Sequence, residues 1–404
     1  MSANPQKFDV VVLGAGAAGL MCALTAGQRG RRVLLVEKAN KVGKKILMSG
    51  GGRCNFTNYI VEPDNYISQN PHFCISALKR YTQWDFIAMV ERHGISYEER
   101  KHSQLFCLNS AKDILDMLLV ECAEAGVVVK THCDNLHFDL LDDGTKSLAF
   151  ERQAEKETIV CHSLVVATGA LSIPTLGGSD YGYTLAERLG IPLVPRRAGL
   201  VPFMFSDSTK AMCERLSGLA LDVAVSCNGR SFRENMLFTH RGISGPSMLQ
   251  ISNYWYPGND IDIDLLPELN AVEWLQELKR REGKSLLRTQ LSRPLSKSLV
   301  AELQKLWWPE HAEKALAEFS DTTLENIGLK LGCWRLKPSA TEGYRTAEVT
   351  LGGIDTQSVS SKTFEAKAVP GLYFVGEVLD VSGHLGGFNF QWAWSSGFCA
   401  GSYV

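Results

Sequence analysis

The sequence lacks the features that define several large protein classes. Its eleven cysteines are never closer than eleven residues apart, so no CxxC pair or zinc-type spacing occurs. A disulfide framework is not expected in a chain of this size, and free thiols are typical of a reducing compartment. The first residues show no charged-then-apolar signal pattern, and we therefore expect a cytoplasmic protein.

Charge of either sign is not in excess either, because 42 basic residues face 44 acidic residues. The overall charge therefore neither demands nor excludes a nucleic-acid partner. One run without charges, residues 10–28, is long enough to suggest a membrane span. It contains glycines at positions 14, 16, 19 and 27, and these favour a strand–turn–helix pattern over a membrane span.

The composition that is present is that of a large globular protein: 404 residues, of which 45% are hydrophobic and 21% charged. The chain length predicts about two or three domains. There is enough apolar material for a substantial core, which excludes a disordered, collagen-like or small disulfide-stapled protein.

The early glycines lie in a strand–turn–helix pattern typical of dinucleotide-binding proteins. An apolar run, Phe8–Leu13, predicts a buried strand and leads directly into the sequence GAGAAG at 14–19, which helix formers follow. In this pattern the first glycine permits a tight turn, the second lets the backbone approach a pyrophosphate, and the third lets the helix pack closely. A second strand, Arg32–Val36, ends at Glu37, whose carboxylate suits two ribose hydroxyls and disfavours a 2′-phosphate.

Three later segments favour FAD over NAD as the dinucleotide. Residues 44–58 contain three consecutive glycines before Arg53, which offer backbone amides and positive charge to a flavin; a flexible surface loop is the alternative. Residues 163–170 form an apolar strand that ends in Thr-Gly and resembles the ATG motif of flavoproteins with two dinucleotide domains. Residues 371–380 form a further strand ending in Gly-Glu, followed by Asp380, as in flavoproteins that place a carboxylate near the ribityl chain.

The C-terminal residues are expected to close the cofactor site. Gly386 and Gly387 precede a helix-like segment at 392–400, so their N–H groups can stabilise negative charge on the reduced flavin. No second GxGxxG follows a later strand, so the sequence lacks a dedicated nicotinamide domain. Any NAD(P)H is therefore expected to bind transiently at the flavin.

Three motifs together resemble one family over essentially the whole chain. They are Arg53-Cys54-Asn55 after the glycines, residues 238–246 (FTHRGISGP) and residues 343–353 (GYRTAEVTLGG). The sequence is similar to the bile-acid-reductase-like family of bacterial NAD(P)/FAD-dependent oxidoreductases. It resembles in particular the enterobacterial branch of that family, which forms dihydrouridine in large-subunit ribosomal RNA.

This resemblance implies an α/β fold with a discontinuous, Rossmann-like FAD-binding domain of the glutathione-reductase type, an inserted β-rich domain and a small helical domain. Prolines at 192, 195 and 202 mark the first boundary, and apolar residues recur with helical period from Leu269 to Leu331. The expected limits are 1–195 with 340–404 for the FAD-binding domain, 196–267 with 332–339 for the β-rich insert, and 268–331 for the helical cap.

The residues expected to bind the cofactor come from these motifs and from the resemblance. They are Gly14, Ala15, Gly16, Ala17, Ala18, Gly19, Glu37, Lys38, Lys45, Ser49, Gly50, Gly51, Gly52, Arg53, Cys54, Asn55, Asn135, Thr168, Gly169, Gly376, Glu377, Asp380, Gly386, Gly387, Phe388, Asn389 and Gln391. Asn135 stands where a small apolar residue is expected to offer its backbone to the adenine, and a backbone contact survives that change. No metal site is expected.

Reduction of the uracil C5–C6 double bond requires a hydride at C6 and a proton at C5. Cys54 is a candidate for the acid, because a thiol with an ordinary pKa of about 8.5 stays mostly protonated at neutral pH. A buried, apolar cysteine is the alternative. Arg53 and His240 are candidates for donor groups at the substrate, although a structural turn explains the glycines near His240 equally well. Arg345 and Glu348 are expected either to form a salt bridge or to line the pocket.

The predicted helical cap carries the marked charge asymmetry of the sequence. Between Lys279 and Lys305, eight basic residues accompany two acidic ones. A surface that binds RNA phosphates and an ordinary solvated helical face are both consistent with this pattern.

These observations predict an FAD-dependent reductase of a conjugated C=C bond, with a uridine of large-subunit ribosomal RNA as the favoured substrate. The alternatives are a reductase of a small enone or steroid-like molecule, and a non-catalytic flavin-binding interaction module. The expected partners are ribosomal RNA or a small-molecule acceptor and, transiently, NAD(P)H. Neither a membrane nor a metal is expected as a partner.

Overall fold

The computed structural model describes residues 5–404, which divide into two compact units. The first unit comprises the chain up to Arg197 together with Glu348–Val404, and the second comprises Ala198–Ala347. The chain therefore leaves the first unit once and returns to it for the C-terminal segment.

Strands and helices alternate through the first part of the chain. The strands are β1 (Gln6–Leu13), β2 (Val33–Val36), β3 (Asn55–Asn58), β4 (Tyr66–Ile67), β5 (Tyr97–Arg100), β6 (Gln104–Cys107), β7 (Val128–Lys130), β8 (Asp134–Leu140), β9 (Lys146–Arg152), β10 (Glu155–Val166), β11 (Leu193–Gly199), β12 (Phe203–Met204), β13 (Ala220–Cys227), β14 (Arg230–Thr239), β15 (Gly242–Ser244), β16 (Ile261–Asp264), β17 (Trp334–Leu336), β18 (Ala340–Thr341), β19 (Val349–Ile354), β20 (Leu372–Phe374) and β21 (Ser382–Gly383). The helices are α1 (Ala17–Gln28), α2 (Lys44–Met48), α3 (Phe73–Arg80), α4 (Gln83–Arg92), α5 (Ala111–Glu124), α6 (Tyr181–Arg188), α7 (Asp207–Arg215), α8 (Pro246–Ser252), α9 (Ala271–Glu282), α10 (Leu287–Leu291), α11 (Lys297–Trp307), α12 (Asp321–Gly332) and α13 (Phe388–Gly401).

A seven-stranded sheet forms the centre of the first unit, in the order β7-β2-β1-β10-β9-β8 with β20 also paired to β10. β7, β2, β1, β10 and β20 run parallel, while β9 pairs antiparallel with both β10 and β8. Val10–Leu13 and the whole of β2 are buried, as expected of central parallel strands that are covered on both faces. The predicted strand–helix–strand start is confirmed. The carboxyl ends of β1, β2, β10 and β20 lie at the same edge of the sheet, where α/β folds bind ligands.

α1 and α13 pack closely, although they lie at opposite ends of the sequence. Both helices are buried along most of their length. A Cβ at Gly397 would lie 2.5 Å from the backbone oxygen of Ala18, and one at Gly401 would lie 2.7 Å from that of Cys22. The small residues of α13 therefore let the end of the chain complete the nucleotide-binding unit.

The second unit is built on an antiparallel sheet in the order β17-β16-β13-β14-β15-β12-β18. Residues 227–230, with the sequence Cys-Asn-Gly-Arg, form the turn of a hairpin between the antiparallel strands β13 and β14. The helices between residues 271 and 332 share one hydrophobic core with these strands, and that core includes Val223, Phe238, Leu299 and Leu324. The sheet and helices of this unit therefore stabilise each other.

Glu302 on α11 is a buried carboxylate with two cationic partners. It accepts a hydrogen bond from Arg215 Nη2 at 2.7 Å and another from Lys305 Nζ at 2.8 Å. These partners, Arg215 above all, lower the pKa of Glu302 to about 2. Because the pKa in the folded state lies below its ordinary value, the ion pairs stabilise the fold above about pH 4.5. That stabilisation is lost as the pH falls through about 2.

We expect Arg215→Ala to lower the free energy of unfolding by about 1–2 kcal/mol at neutral pH, and by less than half of that near pH 3. The side chains of Arg215 and Lys305 are 52% and 64% exposed, so solvent screening limits the effect. Urea unfolding at both pH values measures it. Arg281→Ala, which breaks an exposed pair with Glu277, is the control and should change the free energy by less than about 0.5 kcal/mol. An equal loss at both pH values would contradict this explanation.

Within residues 5–404, no helix combines the length and the apolar character that crossing a bilayer requires. The uncharged run at 10–28 is instead the end of β1, the glycine turn and α1. In the same residues, no group of three or more His, Cys, Asp or Glu side chains is arranged to hold a metal ion.

Candidate active site

Glycines shape the turn after β1, and their roles differ. Gly14 has a φ of +99°, and a Cβ there would lie 2.4 Å from the backbone oxygen of Ala167. A Cβ at Gly19 would lie 1.9 Å from the backbone oxygen of Gly14, whereas one at Gly16 would have no protein atom within 4 Å. The fold itself therefore requires glycine at 14 and 19, while the space beside Gly16 is free for a bound group.

The N-terminus of α1 presents backbone amides at this same turn. Gly16 is the N-cap, no side chain caps the helix, and Leu20 N donates to Gly16 O at 2.9 Å. The preceding N–H groups, those of Ala17, Ala18 and Gly19, have no acceptor within the helix. Together with the helix dipole they suit a pyrophosphate.

Glu37 lies directly after β2 and is held against the glycine turn. Its Oε2 accepts a hydrogen bond from Ala15 N at 2.8 Å, and its Oε1 accepts one from Ala39 N at 2.7 Å. Each oxygen keeps a further lone pair for a ribose hydroxyl. Lys38, the next residue, is exposed.

The structure places the predicted adenine contact, Asn135, on the exposed strand β8. Asn135 has a φ of +51°, and its Nδ2 donates to Glu151 Oε2 at 2.7 Å. The backbone that meets Glu37 is that of Cys133, whose N donates to Glu37 O at 3.1 Å. Cys133 was not among the predicted contacts, although its position after β7, the neighbour of β2, was a usable signal. Because the N–H of Cys133 is bound to Glu37, its carbonyl is the backbone group that we consider a better candidate than Asn135 for a contact to the adenine.

Three consecutive left-handed residues form the loop after α2. Gly50, Gly51 and Gly52 have φ values of +56°, +65° and +84°. A Cβ at Gly50 would lie 2.8 Å from the Phe106 ring, but Cβ atoms at Gly51 and Gly52 would have no protein atom within 4 Å. This backbone requires glycine, and its last two residues border open space that a planar ligand can use.

Cys54, a candidate for the acid, is fully buried, with a relative exposure of 0%. Burial raises the pKa of its thiol far above the ordinary value, against a smaller opposing effect of a hydrogen bond with Ser49. Protein covers the thiol, so it does not border a space in which a substrate can bind. This position favours the buried, apolar alternative for Cys54. The neighbouring Arg53 is exposed and lies 3.5 Å from Glu98 Oε1.

Two asparagines of β3 hold the C-terminal glycines in place. Asn58 Nδ2 donates to Gly386 O at 3.0 Å. The Asn55 side-chain oxygen accepts a hydrogen bond from Gly387 N at 3.0 Å when its amide is oriented to satisfy its neighbours. The N–H of Gly387, which the sequence suggested for the flavin, is therefore bound to Asn55.

The backbone amides of the next two residues, at the start of α13, replace that of Gly387 as candidates for binding the flavin. Phe388 and Asn389 are the first residues of this helix, so their N–H groups have no acceptor within it. The Asn389 side chain binds Gly383, accepting from its N at 2.8 Å and donating to its O at 2.9 Å. Only the backbone of Asn389 is thus well placed for a ligand.

Two further predicted cofactor residues use their side chains to hold the protein together. Gln391 is fully buried, accepts from Thr57 Oγ1 at 2.7 Å and donates to Tyr81 O at 3.1 Å. Asp380 is buried and accepts from Gln69 N at 2.8 Å, and burial raises the pKa of its carboxyl. This hydrogen bond occupies Oδ2 of Asp380, so a contact between its carboxylate and the cofactor stays a prediction for Oδ1.

Lys45 and Glu377 lie in one hydrogen-bonded group with Ser172 and Thr350, the Lys45–Glu377 cluster. Lys45 Nζ donates to Ser172 Oγ at 2.7 Å and to Glu377 Oε2 at 2.9 Å. Glu377 Oε1 accepts from Ser172 Oγ at 2.8 Å and from Thr350 N at 3.0 Å. The cluster ties α2, the loop after β10, β19 and the segment after β20 to one another.

A polar group without a partner lies where β10 ends. Within the described residues, Thr168 Oγ1 is buried and has no hydrogen-bond partner. The next residue, Gly169, has a φ of +68°, and a Cβ there would lie 3.9 Å from Glu377 Oε2; Gly376 is also left-handed, with a φ of +74°. With the free amides of α1, the carboxylate of Glu37 and the open space beside Gly16, this hydroxyl fits a polar dinucleotide.

His240, the remaining catalytic candidate, belongs to the second unit. It is exposed in the turn between β14 and β15. Thr239 Oγ1 stabilises this turn by accepting from Arg241 N at 3.3 Å and from Gly242 N at 3.2 Å. The structural explanation of this motif therefore accounts for its threonine and glycine, while a role of His240 in binding substrate stays a prediction.

The basic surface of the predicted cap is largely neutralised by ion pairs. Five of its eight cations pair with acids, three of which lie outside the 279–305 window: the pairs are Lys279–Asp321, Arg281–Glu277, Arg288–Glu313, Arg293–Glu282 and Lys305–Glu302. The sequence window left out Glu277, which lies one helical turn before Arg281, and the more distant acids Glu313 and Asp321. Arg280, Lys284 and Lys297 form no ion pair within the described residues and are the cations most available to a phosphate.

The HI0933-like protein Rossmann domain matches residues 8–403. The chain belongs to the HI0933-like family. Ribosomal RNA dihydrouridine synthase of Escherichia coli (strain K12) is 48% identical over 98% of both chains, and that of Haemophilus influenzae is 47% identical over 98% of both. The 3-dehydro-bile acid delta(4,6)-reductase of Clostridium scindens is 27% identical over 96% of this chain and 97% of the other.

Solved structures of flavoenzymes share the fold of this HI0933-like chain. A 3-ketosteroid-delta4-(5alpha)-dehydrogenase of Rhodococcus jostii RHA1 aligns with a TM-score of 0.53 and 13% identity over 99% of this chain and 98% of the other. A flavocytochrome c3 fumarate reductase aligns with a TM-score of 0.50 and 16% identity over 99% and 78%. The predicted fold class is confirmed, and the chain is an oxidoreductase with FAD as its cofactor.

Proposed function

We propose that this protein uses FAD to reduce the C5–C6 double bond of a uridine in large-subunit ribosomal RNA. The observation that carries the proposal is the 48% identity to a ribosomal RNA dihydrouridine synthase over 98% of both chains. A match of this extent includes both units and leaves no large segment in which the substrate site would differ by insertion or deletion.

In this proposal the first unit binds the cofactor through groups that are already oriented. The amides at the start of α1 bind the pyrophosphate, Glu37 binds the adenosine ribose, and Cys133 offers its backbone to the adenine. The loop 50–52 and the first amides of α13 border the flavin. Bound FAD supplies the hydride that adds to C6 of the uracil.

The electron donor we propose is NAD(P)H, bound transiently at the flavin. The support is the absence of a second GxGxxG from the sequence, which leaves the flavin-binding unit as the place for this exchange. We place the reaction in the cytoplasm, where ribosomal RNA is made and modified.

Recognition of RNA requires cations that are free to bind phosphates. Arg280, Lys284 and Lys297 supply three such groups on the second unit, and we propose them as phosphate contacts. Three contacts form a small electrostatic footprint, so shape and the target base itself carry the rest of the recognition.

Mass mapping of dihydrouridine in ribosomal RNA tests the proposal. A strain that lacks the protein should lose one dihydrouridine from its large-subunit RNA, and the purified protein with NAD(P)H should restore it on RNA from that strain. The control is the same reaction with Gly16→Ala, which we expect to bind FAD poorly. An unchanged dihydrouridine profile in the deletion strain would refute the proposal.

The second candidate is reduction of a small enone or steroid-like molecule, which the full-length similarity to a bile acid reductase favours. NAD(P)H oxidation that depends on such an enone, without any response to ribosomal RNA, would support it. Flavin that is reduced but passes electrons to neither acceptor would instead support the non-catalytic binding module.

A further inference from the structure

An exposed aromatic pair lies on the surface of the first unit, where β3 ends and α4 begins. The rings of Tyr59 and Trp84 are stacked, with centroids 5.5 Å apart and an angle of 25° between their planes. Trp84 is 55% exposed and Ile60 is 61% exposed, whereas Trp392 and Trp394, the other tryptophans of this unit, are buried. We call these three exposed side chains, Tyr59, Ile60 and Trp84, the aromatic platform. A large apolar ring left in water at a clustered site marks a binding surface.

The protein backbone holds the platform in place. Tyr59 N donates to Ser103 O at 3.0 Å, and Gln83 Nε2 donates to Tyr59 O at 3.0 Å. Trp84 is the second residue of α4, a helix that Thr82 caps with its side chain. Because Tyr59 covers one face of the indole, the other face is the one open to a ligand. Rings that are fixed before binding lose little conformational entropy when a ligand stacks on them.

The platform is continuous with the segment that borders the proposed flavin site. Asn58, which directly precedes Tyr59, donates from Nδ2 to His102 O at 2.9 Å and to Gly386 O at 3.0 Å. Gly386 lies two residues before α13, whose first amides we assign to the flavin. One asparagine therefore ties the chain at the platform to the chain at the cofactor site.

The charge near the platform favours an anionic partner. Lys101 is exposed, lies two residues before Ser103, and forms no ion pair among the residues that the structure describes. Asp85, the acid next to Trp84, is directed back to the start of α4, because its Oδ2 accepts from Thr82 N and Thr82 Oγ1 at 2.7 Å each. A flat aromatic surface near a free cation is the combination with which proteins bind single-stranded nucleic acids.

The size of the platform also favours a nucleotide over a protein. A stable protein–protein interface buries about 800 Å² on each partner. A large aromatic side chain offers at most about 250 Å². Trp84 and Ile60 are both partly covered, so their exposed area is far below that of such an interface, but it is enough for one planar base.

We infer that the aromatic platform binds an unpaired base of the ribosomal RNA that lies near the target uridine in the same strand, an inference that rests on the proposed function. Trp84 stacks on this base with its open face, and Lys101 contacts a phosphate. Stacking on the indole offsets part of the energy that the RNA loses when the base leaves its own stack. The target uracil itself stays with the flavin.

Trp84→Ala in the FAD-loaded protein tests the inference, with transcribed large-subunit ribosomal RNA as the substrate. The KM for this RNA should rise by about 5- to 100-fold, as expected for the loss of one stacked base, while kcat changes by less than about twofold. Trp84→Phe keeps a flat ring and should retain most of the affinity. The matched control is Val120→Ala, which shortens an exposed apolar side chain on α5 of the same unit and should behave like the wild type.

Binding of a twelve-residue oligouridylate gives a second readout that does not depend on turnover. A base stacked on Trp84 should quench indole fluorescence in the wild type, and this part of the quenching should be missing in Trp84→Phe. Trp84→Ala should weaken binding by a similar factor at every salt concentration. Lys101→Ala should instead reduce the slope of log K against log salt by about 0.7, the value for one phosphate contact on a single strand.

The outcomes separate this inference from the proposed function. If the wild type forms dihydrouridine and Trp84→Ala does so with the same KM for RNA, the inference alone is wrong. If the wild type forms no dihydrouridine but loses RNA affinity on Trp84→Ala, the proposed reaction alone is wrong. A wild type that sediments as a dimer, with a monomeric Trp84→Ala of unchanged RNA affinity, would assign the platform to a second copy of the chain and overturn the inference.

Discussion

Gly16→Ala should give a protein that folds like the wild type and binds FAD about 10- to 100-fold more weakly. A Cβ at this position meets no protein atom within 4 Å, and the φ of −86° is one that alanine readily adopts. The added methyl group therefore occupies only the space that we assign to the pyrophosphate. Fluorescence titration of the apoprotein with FAD measures the affinity, and urea unfolding of the same apoprotein measures the stability.

Gly14→Ala is the matched comparison, because this glycine serves the fold instead. Its Cβ would lie 2.4 Å from the backbone oxygen of Ala167, and its φ is +99°. We expect the apoprotein to lose about 3 kcal/mol or more of its free energy of unfolding. If both variants lost FAD affinity and stability to the same degree, the two glycines would not have the separate roles that we give them.

Glu377→Ala should lower the free energy of unfolding by about 2–3 kcal/mol and reduce the fraction of protein that carries FAD. The carboxylate accepts hydrogen bonds from Lys45, Ser172 and Thr350, so its removal leaves three donors without their acceptor. Partial exposure of Lys45 and Glu377 keeps the expected loss below that of a fully buried ion pair. Urea unfolding and the flavin absorbance of purified protein provide the two measurements.

Variants of Lys45 separate the ion pair from the rest of the cluster. Lys45→Met should cost about 1 kcal/mol, and the double variant with Glu377→Ala should cost less than the sum of the single variants, because the two side chains interact directly. Lys41→Met, which changes an exposed lysine, is the control and should be nearly neutral. If Glu377→Ala were no more destabilising than Lys41→Met, the cluster would have no role in stability.

The two glycine-rich regions show how far local sequence reasoning reaches. The spacing of Gly14, Gly16 and Gly19 and the acid at the end of the second strand predicted the turn, the helix and the position of Glu37. The same reasoning predicted a contact between the N–H of Gly387 and the flavin, but this N–H donates to the side chain of Asn55 in β3. A hydrogen bond between residues 332 positions apart leaves no signal in either local pattern.

For the charged residues too, local sequence predicted their positions but not their partners. Eight cations in the 279–305 window suggested a basic surface, yet acids from before and after the window pair with several of them. Glu348 was expected to form a salt bridge with Arg345 or to line the pocket, and within residues 5–404 these two side chains form no ion pair. The pKa of Glu348 is raised by groups that the fold brings around it.

By itself, the sequence determined the nucleotide-binding turn and the strand–helix–strand start of the chain, because sterics and hydrophobic periodicity act between residues close in sequence. Only the tertiary structure decided which side chains face a ligand and which hold the protein together. It buried Cys54, Gln391 and Asp380 among protein partners and left Trp84 and the space beside Gly16 open. The physical reason is that burial and hydrogen-bond pairing are properties of distant segments brought into contact by folding.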